Sequence, residues 1–290
     1  MAGARAGARL RWVGPERGFG PGEEPTEKST EQSTWRSTEE PTTLLAMDSW
    51  LVDDGRVKAL EAHVERFASA CAALRAIPAR RTTAFLGAAV ERLPRQGRWF
   101  PRVELVLADG ALCFQLWIRP APPRGERVRL WTPPHPDRRI RPSVKGADLA
   151  HLTLLRQQAL DAGADEALIL APDGRIREGS TTSLLWWRGD TLCAVPEGPD
   201  VLASVTRALL LRAASDAGVD VALERPTPYE LDGLEVWAVN ALHGIRPVTA
   251  WTGLPDVVEA GASRRVEEWS RVLDEAAAPV AAVAGRGMTT

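Results

Sequence analysis

Two periodicities of apolar residues run along most of the chain. Apolar residues at helical spacing predict helices over 59–74, 82–93, about 148–162, about 206–217 and about 264–275. Short apolar runs bounded by turn residues predict strands over 50–52, 103–108, 111–118, 128–131, 166–170, 183–187, 219–224, 235–239 and 248–251. Because the two element types mix without a strict strand–helix–strand repeat, the pattern predicts an α+β fold with mixed sheets.

The distribution of these elements predicts two domains behind a polar extension. Residues 1–46 are poor in branched aliphatics and rich in small, charged and hydroxyl residues, so we expect a disordered extension there. Seven prolines between Arg119 and Pro142 indicate a linker. We therefore expect a small N-terminal domain over 47–134, a larger C-terminal domain over 135–278 and a disordered tail over 279–290.

Composition narrows the class of protein. The chain is 44% hydrophobic and 26% charged, as in soluble globular proteins, and its net charge of −2 gives no basic field for nucleic acid or an anionic membrane. Three cysteines without a CxxC pair exclude a disulfide scaffold and a structural zinc site, and we expect no metal. Since no apolar run of membrane-spanning length or secretion signal is visible, we expect a cytoplasmic protein without a membrane partner.

Lysine is scarce, which narrows any search for amine chemistry. Of 36 basic residues only Lys28, Lys58 and Lys145 are lysines, and arginine cannot replace lysine in a Schiff base. The first two lie in polar stretches where we expect solvent. Lys145 follows the linker and precedes a predicted helix, where a cleft would lower its pKa and make the amine nucleophilic. Taken alone, a lysine in such a place is more often a solvated loop residue.

Two further segments carry groups that suit a phosphorylated, nitrogen-containing ring. Glu178 precedes Gly179-Ser180 after a predicted strand, and a carboxylate paired with a pyridinium nitrogen keeps such a ring protonated. The segment Ser204-Val205-Thr206-Arg207 begins a predicted helix, whose N-terminal N–H groups and positive dipole end bind phosphate. Each segment alone also fits an ordinary structure, namely a surface glutamate and a helix capped by Ser204.

Read together, these segments resemble the class IV aminotransferases, the pyridoxal-phosphate fold type that includes branched-chain aminotransferases, D-amino-acid aminotransferases and aminodeoxychorismate lyases. The similarity is strongest over 163–180, which holds Pro172-Asp173-Gly174 and Glu178-Gly179-Ser180 and matches in its spacing from Lys145. It spans roughly 59–251. The resemblance implies a fold type IV enzyme with a small N-terminal α/β domain, a larger C-terminal mixed-sheet (pseudo-barrel) domain and pyridoxal 5'-phosphate in the cleft.

The resemblance also implies a role for each candidate residue. Lys145 corresponds to the lysine that binds the cofactor covalently and carries the proton to and from the substrate α-carbon, and Glu178 to the partner of the pyridine nitrogen. Arg66 ends an H-x-x-R segment that begins at His63, and its guanidinium suits a phosphate dianion. The remaining implied contacts are Val205 and Thr206 at the phosphate, Ala241 and Leu242 at the phosphate or substrate carboxylate, and His243 at the substrate.

The chain departs from the family pattern in several places. No Gly-Asp-Gly-aromatic-Glu segment precedes Arg56, so the wall of the substrate pocket is unassigned. Ser204 stands where the family uses glycine, Ala241 lacks the usual hydroxyl, and no tyrosine lies between Gly146 and His151. The substrate side is therefore less constrained than the cofactor side.

The chain is rich in tryptophan, with eleven tryptophans and one tyrosine. Trp186 and Trp187 are adjacent on a predicted strand, where successive side chains point to opposite faces. We therefore expect at most one of these indoles near the cleft.

The resemblance leaves three functions open. The leading hypothesis is amino-group transfer between an amino donor and a 2-oxo acid, with an amino acid or 2-oxo acid as small-molecule substrate. The alternative is an aminodeoxychorismate lyase that forms 4-aminobenzoate and pyruvate, favoured by the Asn240-Ala241-Leu242 run. A further alternative is a degenerate, non-catalytic family member. Fold type IV enzymes also imply a homodimer in which a neighbour completes the site.

Overall fold

A computed structural model describes residues 7, 9–22, 42–74 and 77–280. The chain forms two compact units: one comprises Met1–Pro122 and Ala278–Thr290, and the other comprises Pro123–Ala277. The architecture is α+β with mixed sheets, which confirms the predicted fold class. Among the described residues no helix combines the length and apolar character that a bilayer crossing requires.

The described part of the first unit contains two sheets and two helices. Its strands are β1 (Arg9–Gly14), β2 (Gly18–Pro21), β3 (Thr43–Ser49), β4 (Val52–Asp53), β5 (Arg56–Lys58), β6 (Arg98–Trp99), β7 (Arg102–Ala108) and β8 (Ala111–Trp117). Its helices are α1 (Leu60–Ala73) and α2 (Ala79–Glu91). One sheet has the antiparallel order β2-β1-β8-β7-β3. Phe85 of α2 stacks on Phe114 of β8 at 4.5 Å between ring centroids, which packs α2 against this sheet.

The first two strands lie in the segment for which composition predicted disorder, so for the described part of residues 1–46 that prediction was wrong. Leu10 of β1 pairs with Leu116 of β8, and the Trp12 side chain is only 3% exposed. The Trp12 ring lies edge-on to Phe85 and Phe114 at 6.0 Å. A hairpin with few apolar residues is unstable alone, but it is stabilised when it pairs with the edge of an existing sheet.

The second unit contains one eight-stranded sheet and three helices. Its elements are β9 (Val128–Trp131), α3 (Leu149–Asp161), β10 (Glu166–Leu170), β11 (Ile176–Gly179), β12 (Ser183–Arg188), β13 (Thr191–Ala194), α4 (Val205–Asp216), β14 (Val221–Leu223), a 3₁₀ turn (Pro228–Leu231), β15 (Val236–Asn240), β16 (Gly244–Thr252) and α5 (Val266–Glu275). The strand order is β11-β10-β9-β16-β15-β12-β13-β14. The pairs of β9 with β10 and β16, and of β13 with β14, are parallel.

The division between the units lies at Pro122 and Pro123, about twelve residues before the predicted linker boundary at 134. The reason is β9, which sequence analysis assigned to the first domain. β9 pairs in parallel with β10 and β16, so the strand belongs to the central part of the second sheet. Because proline-rich sequence flanks β9 on both sides, the composition alone did not indicate that the strand belongs to the second sheet.

The chain returns to the first unit at its described end. A last strand, β17 (Ala277–Pro279), joins the small sheet of order β17-β5-β4-β6. Val280 is fully buried, and its N–H donates to the Gly55 carbonyl at 2.9 Å. The predicted disordered tail is therefore wrong for residues 279 and 280, and residues 281–290 lie outside the described part.

The eight-stranded sheet carries a hydrophobic core on each face. Trp186 belongs to a cluster with Leu231 and Val236, whereas Trp187 packs in a separate cluster with Trp237 and Trp269. This confirms that the two adjacent indoles point to opposite faces. Both are buried in packing, which leaves neither as an exposed ring.

Candidate functional site

Lys145 lies on a turn that a buried carboxylate holds in place. The Asp148 side chain accepts hydrogen bonds from the N–H groups of Ile140 at 2.8 Å and Arg141 at 2.9 Å. Gly146 follows the lysine with a φ of 101°, a conformation that a side chain at this position would strain. Asp148 therefore ties both ends of the loop together and fixes the place from which the amine projects.

Glu178 ends in a buried carboxylate beside two donors. Glu178 is 5% exposed. Its Oε1 accepts hydrogen bonds from Arg139 Nη1 at 2.6 Å and from the Leu202 N–H at 3.0 Å. Within the described chain no hydrogen bond ends on Oε2. Burial raises the pKa of Glu178 above its ordinary value, and the charges of Arg139 and Lys145 oppose that rise. Lys145 and Glu178 are thus close enough to interact electrostatically.

Arg139 is itself fixed by other groups. Its Nη2 donates to Asp137 Oδ2 at 2.9 Å and to the Asp200 carbonyl at 3.0 Å, and its Nε reaches Asp137 Oδ1 at 3.1 Å. Arg177 donates to the same Asp137 Oδ2 at 2.8 Å. Burial alone would lower the pKa of Arg139, but Asp137 and Glu178 raise it overall, so the guanidinium stays charged.

A shallow cleft, open to solvent, lies beside this carboxylate. Charged, polar and aliphatic side chains share its lining, which consists of Arg177, Glu178, Ser183, Leu184, Val195, Val201, Leu202 and Arg207.

The N-terminus of α4 lies in the same part of the second unit. The helix begins at Val205, and the Ser204 hydroxyl accepts from the Arg207 N–H at 3.3 Å as an N-cap. Val205 and Thr206 are both buried. Ser204, which replaces the glycine of the family pattern, therefore stabilises the helix start, and the dipole and N–H groups of the first turn suit a phosphate.

The turn after β15 is ordered by Asn240. Its Oδ1 accepts from the N–H groups of Leu242 at 3.1 Å and His243 at 2.8 Å, and its Nδ2 donates to the Thr181 carbonyl at 3.2 Å. The Leu242 N–H, implied above as an anion contact, is therefore occupied by Asn240. Ala241 sits between these residues at the tip of the same turn.

His243 is held by a neighbouring loop. Its Nδ1 accepts from the Gly125 N–H at 3.0 Å, and its carbonyl accepts from Arg124 at 2.9 Å. Burial and the charges of Arg246, Arg156 and Arg124 lower the pKa of His243 to about 4. The ring is therefore neutral near pH 7, with its proton on Nε2, and its direct contact is with backbone.

Glu166, which has no role among the predicted site residues, fixes the turn after Glu178. Glu166 is fully buried and accepts hydrogen bonds from the Ser180 hydroxyl and from both the N–H and the hydroxyl of Thr181. Arg246 approaches it to 3.8 Å. An acidic residue at the start of an otherwise apolar strand was the available signal, since such a charge needs buried partners.

Arg66 lies in the first unit, on α1. Its Nε and Nη2 donate to the two oxygens of the fully buried Asp48 at 2.7 and 2.8 Å, and His63 Nδ1 lies 2.8 Å from the same carboxylate. Burial alone would raise the pKa of Asp48, but Arg66 and His63 hold it well below its usual range. The H-x-x-R segment thus forms one ion-paired group.

Comparison with known proteins places the chain in a family. The family model described as class IV amino-transferase matches residues 45–251. A putative branched-chain-amino-acid aminotransferase of Methanocaldococcus jannaschii is 28% identical over 92 residues, so the match spans about a third, 32%, of each protein.

The fold is also similar to solved structures. One is a T.th. branched-chain amino acid aminotransferase complexed with N-(5'-phosphopyridoxyl)-L-glutamate, with a TM-score of 0.72 and 21% identity over 98% of this chain and 96% of that one. Another is a hypothetical aminotransferase from Mycobacterium tuberculosis in an α-ketoglutarate and PMP bound form, with a TM-score of 0.69 and 18% identity over 94% and 99%. These likenesses confirm the fold. Because the family match covers well over half of the sequence, the chain belongs to the class IV amino-transferase family of enzymes.

Proposed function

We propose that the chain transfers an amino group between an amino donor and a 2-oxo acid with pyridoxal 5'-phosphate as cofactor. The observation that supports this most strongly is the buried Glu178, whose Oε1 is occupied by Arg139 and Leu202 while Oε2 accepts no hydrogen bond within the described chain. A buried carboxylate group beside a cleft suits a protonated ring nitrogen. The residues present therefore fit the cofactor.

The protein residues would share the work between binding and proton transfer. When bound, pyridoxal 5'-phosphate supplies a carbonyl that takes up amino groups and a ring that accepts negative charge. Lys145 would hold the cofactor covalently and then move a proton at the substrate α-carbon. Glu178 would hold the proton on the ring nitrogen. The first turn of α4 at Val205 and Thr206 would bind the phosphate.

An absorbance assay tests the cofactor assignment directly. The purified chain with added pyridoxal 5'-phosphate should show a bound chromophore that borohydride bleaches irreversibly, with the label on Lys145. Lys145→Ala should lose both the label and turnover. A chain that takes up no cofactor would be a non-catalytic family member, and the proposal would fail.

The substrate class is tested with amino donors and 2-oxo acids. Some relatives named above are branched-chain aminotransferases, and one structure contains α-ketoglutarate, so we propose branched-chain donors with that acceptor as the first pair to assay. Formation of the new amino acid and consumption of the 2-oxo acid should match mole for mole.

A second candidate function is an aminodeoxychorismate lyase. It is favoured by the Asn240-Ala241-Leu242 run, where the Asn240 side chain orders the turn. Release of pyruvate and 4-aminobenzoate without any amino acceptor would identify this reaction. Transfer to a 2-oxo acid with no pyruvate release would exclude it.

A further inference from the structure

The two oxygens of Glu178 have different surroundings. Oε1 receives the Arg139 Nη1 at 2.6 Å and the Leu202 N–H at 3.0 Å, and Oε2 receives no hydrogen bond within the described chain. The Glu178 side chain also lines the cleft. The carboxylate is therefore held through one oxygen, Oε1.

The residue that holds Oε1 is rigid. Asp137 accepts from both Nε and Nη2 of Arg139, and the Asp200 carbonyl accepts from Nη2. The Arg139 and Glu178 side chains are only 3% and 7% exposed. A guanidinium held by Asp137 along one edge and by Glu178 at Nη1 has little freedom to rotate, so it fixes the direction of the carboxylate.

Other charges near Glu178 have partners of their own. Arg177 is bonded to Asp137 at 2.8 Å and lies 3.3 Å from Asp200, Arg207 pairs with Glu197, and Lys145 acts on Glu178 through its charge. The negative charges in the network, Asp137 and Asp200, face arginines. Within the described chain Arg139 is the charged side chain that hydrogen-bonds Glu178.

We propose that Arg139 is the positioning residue for Glu178: it keeps this buried group as a carboxylate and turns Oε2 toward the ring nitrogen of the cofactor. The inference deepens the proposed function, on which its final step rests. Without Arg139, burial would favour the neutral carboxylic acid, which cannot offset the charge of a protonated ring. Arg139 would thus act on the reaction through Glu178, without touching the substrate.

The cofactor-free full chain allows the first step to be measured by itself. The chain is labelled with glutamate carrying ¹³C at the carboxyl carbon, and the Glu178 signal is identified by its absence in Glu178→Gln. In Arg139→Gln the pH midpoint of this signal should rise by about 1–3 units, the usual effect of an adjacent opposite charge on a carboxyl group. In Arg139→Lys, which keeps the positive charge, the midpoint should return most of the way to that of the unmodified chain.

Arg225→Gln is the matched control. Arg225 belongs to the same ion-pair network, through Asp200 at 2.7 Å, but makes no contact with Glu178. Its removal should leave the midpoint near that of the unmodified chain. Equal midpoints in Arg139→Gln and Arg225→Gln would overturn the proposal. So would a Glu178 that is already protonated at pH 7 in the unmodified chain, a measurement that needs no variant to fold.

The loaded enzyme tests the second step. Arg139→Gln should lower kcat while the affinity for pyridoxal 5'-phosphate stays the same, and Arg139→Lys should recover kcat. An unchanged kcat in Arg139→Gln would overturn this step even if the carboxyl titration shifts. If the unmodified chain binds no cofactor, the proposed function fails, and the titration of Glu178 still decides what Arg139 does.

Discussion

Replacing Glu178 with glutamine separates the charge of this residue from its shape. The amide oxygen can still accept from Arg139 and Leu202, so the two hydrogen bonds at Oε1 have a neutral substitute. Replacing the carboxylate acceptor with a neutral amide oxygen should lower the unfolding free energy by about 1 kcal/mol. Arg139 keeps its hydrogen bonds to Asp137. Glu178→Gln should therefore fold and bind the cofactor through Lys145 and its phosphate contacts.

The loss should appear in the chemical step. Removing one preorganised electrostatic partner of a developing charge typically lowers kcat by roughly 10²–10³-fold. Since the interaction strengthens as charge develops, kcat should fall while cofactor affinity changes little. The assay is a single-turnover measurement of amino transfer at saturating cofactor, which removes any contribution from weaker binding.

Glu235→Gln provides the control for a buried carboxylate in the same unit. Glu235 is 6% exposed, accepts from Trp237 and the Arg265 N–H at 3.0 Å, and does not line the cleft. This variant should lose stability but keep its single-turnover rate. A Glu178→Gln protein with bound cofactor and a near-normal rate would refute the assignment of Glu178 as ring partner.

Further expectations concern the stability of the first unit, the pH dependence of two groups and the oligomeric state. Trp12→Ala should lower the unfolding free energy by about 3–5 kcal/mol in urea titrations, whereas Val13→Ala, at a site 52% exposed, should have little effect. Deletion of residues 1–46 should also destabilise the protein, because it removes β1 and β2. The pKa of Asp48 is lowered in the folded protein, so its ion pairs contribute their full stabilisation of the fold above about pH 3.9. This contribution to the unfolding free energy is lost as the pH falls below that value. Asp48→Asn should therefore flatten the acid limb of a stability–pH curve. The His243 imidazole should titrate near the value of about 4 in an NMR experiment, and His243→Gln should leave the pH–rate profile above pH 6 unchanged. Light scattering at micromolar concentration should show a homodimer, and an active stable monomer would contradict that expectation.

Long periodic segments could be predicted from the sequence because local pattern determines them. The predicted helix over about 206–217 is observed as Val205–Asp216, and the strand predicted over 166–170 has those bounds. The turn at Asp109 and Gly110 joins the two strands that were predicted over 103–108 and 111–118. In each case apolar spacing and turn residues act within a few positions, where a single sequence contains the necessary information.

The first strands could not be predicted in the same way. β1 has Leu10 and Trp12 in an otherwise polar, glycine-rich stretch, and its stability comes from pairing with β8 about a hundred residues later. The scarcity of apolar residues correctly indicates that such a segment cannot fold alone. It does not indicate whether an open sheet edge elsewhere in the chain will accept it.

The candidate site shows the same division between local and distant information. Glu178 stands in a compact motif, so its chemistry could be inferred from neighbouring residues. Arg139, which holds it, lies 39 positions earlier in the run Arg138-Arg139-Ile140-Arg141. In a chain where all but three of 36 basic residues are arginine, such a run is typical of a solvated linker. Only the fold distinguishes Arg139, at 3% side-chain exposure, from the exposed arginines on either side of it, because burial beside a carboxylate is what gives a guanidinium its influence on that group.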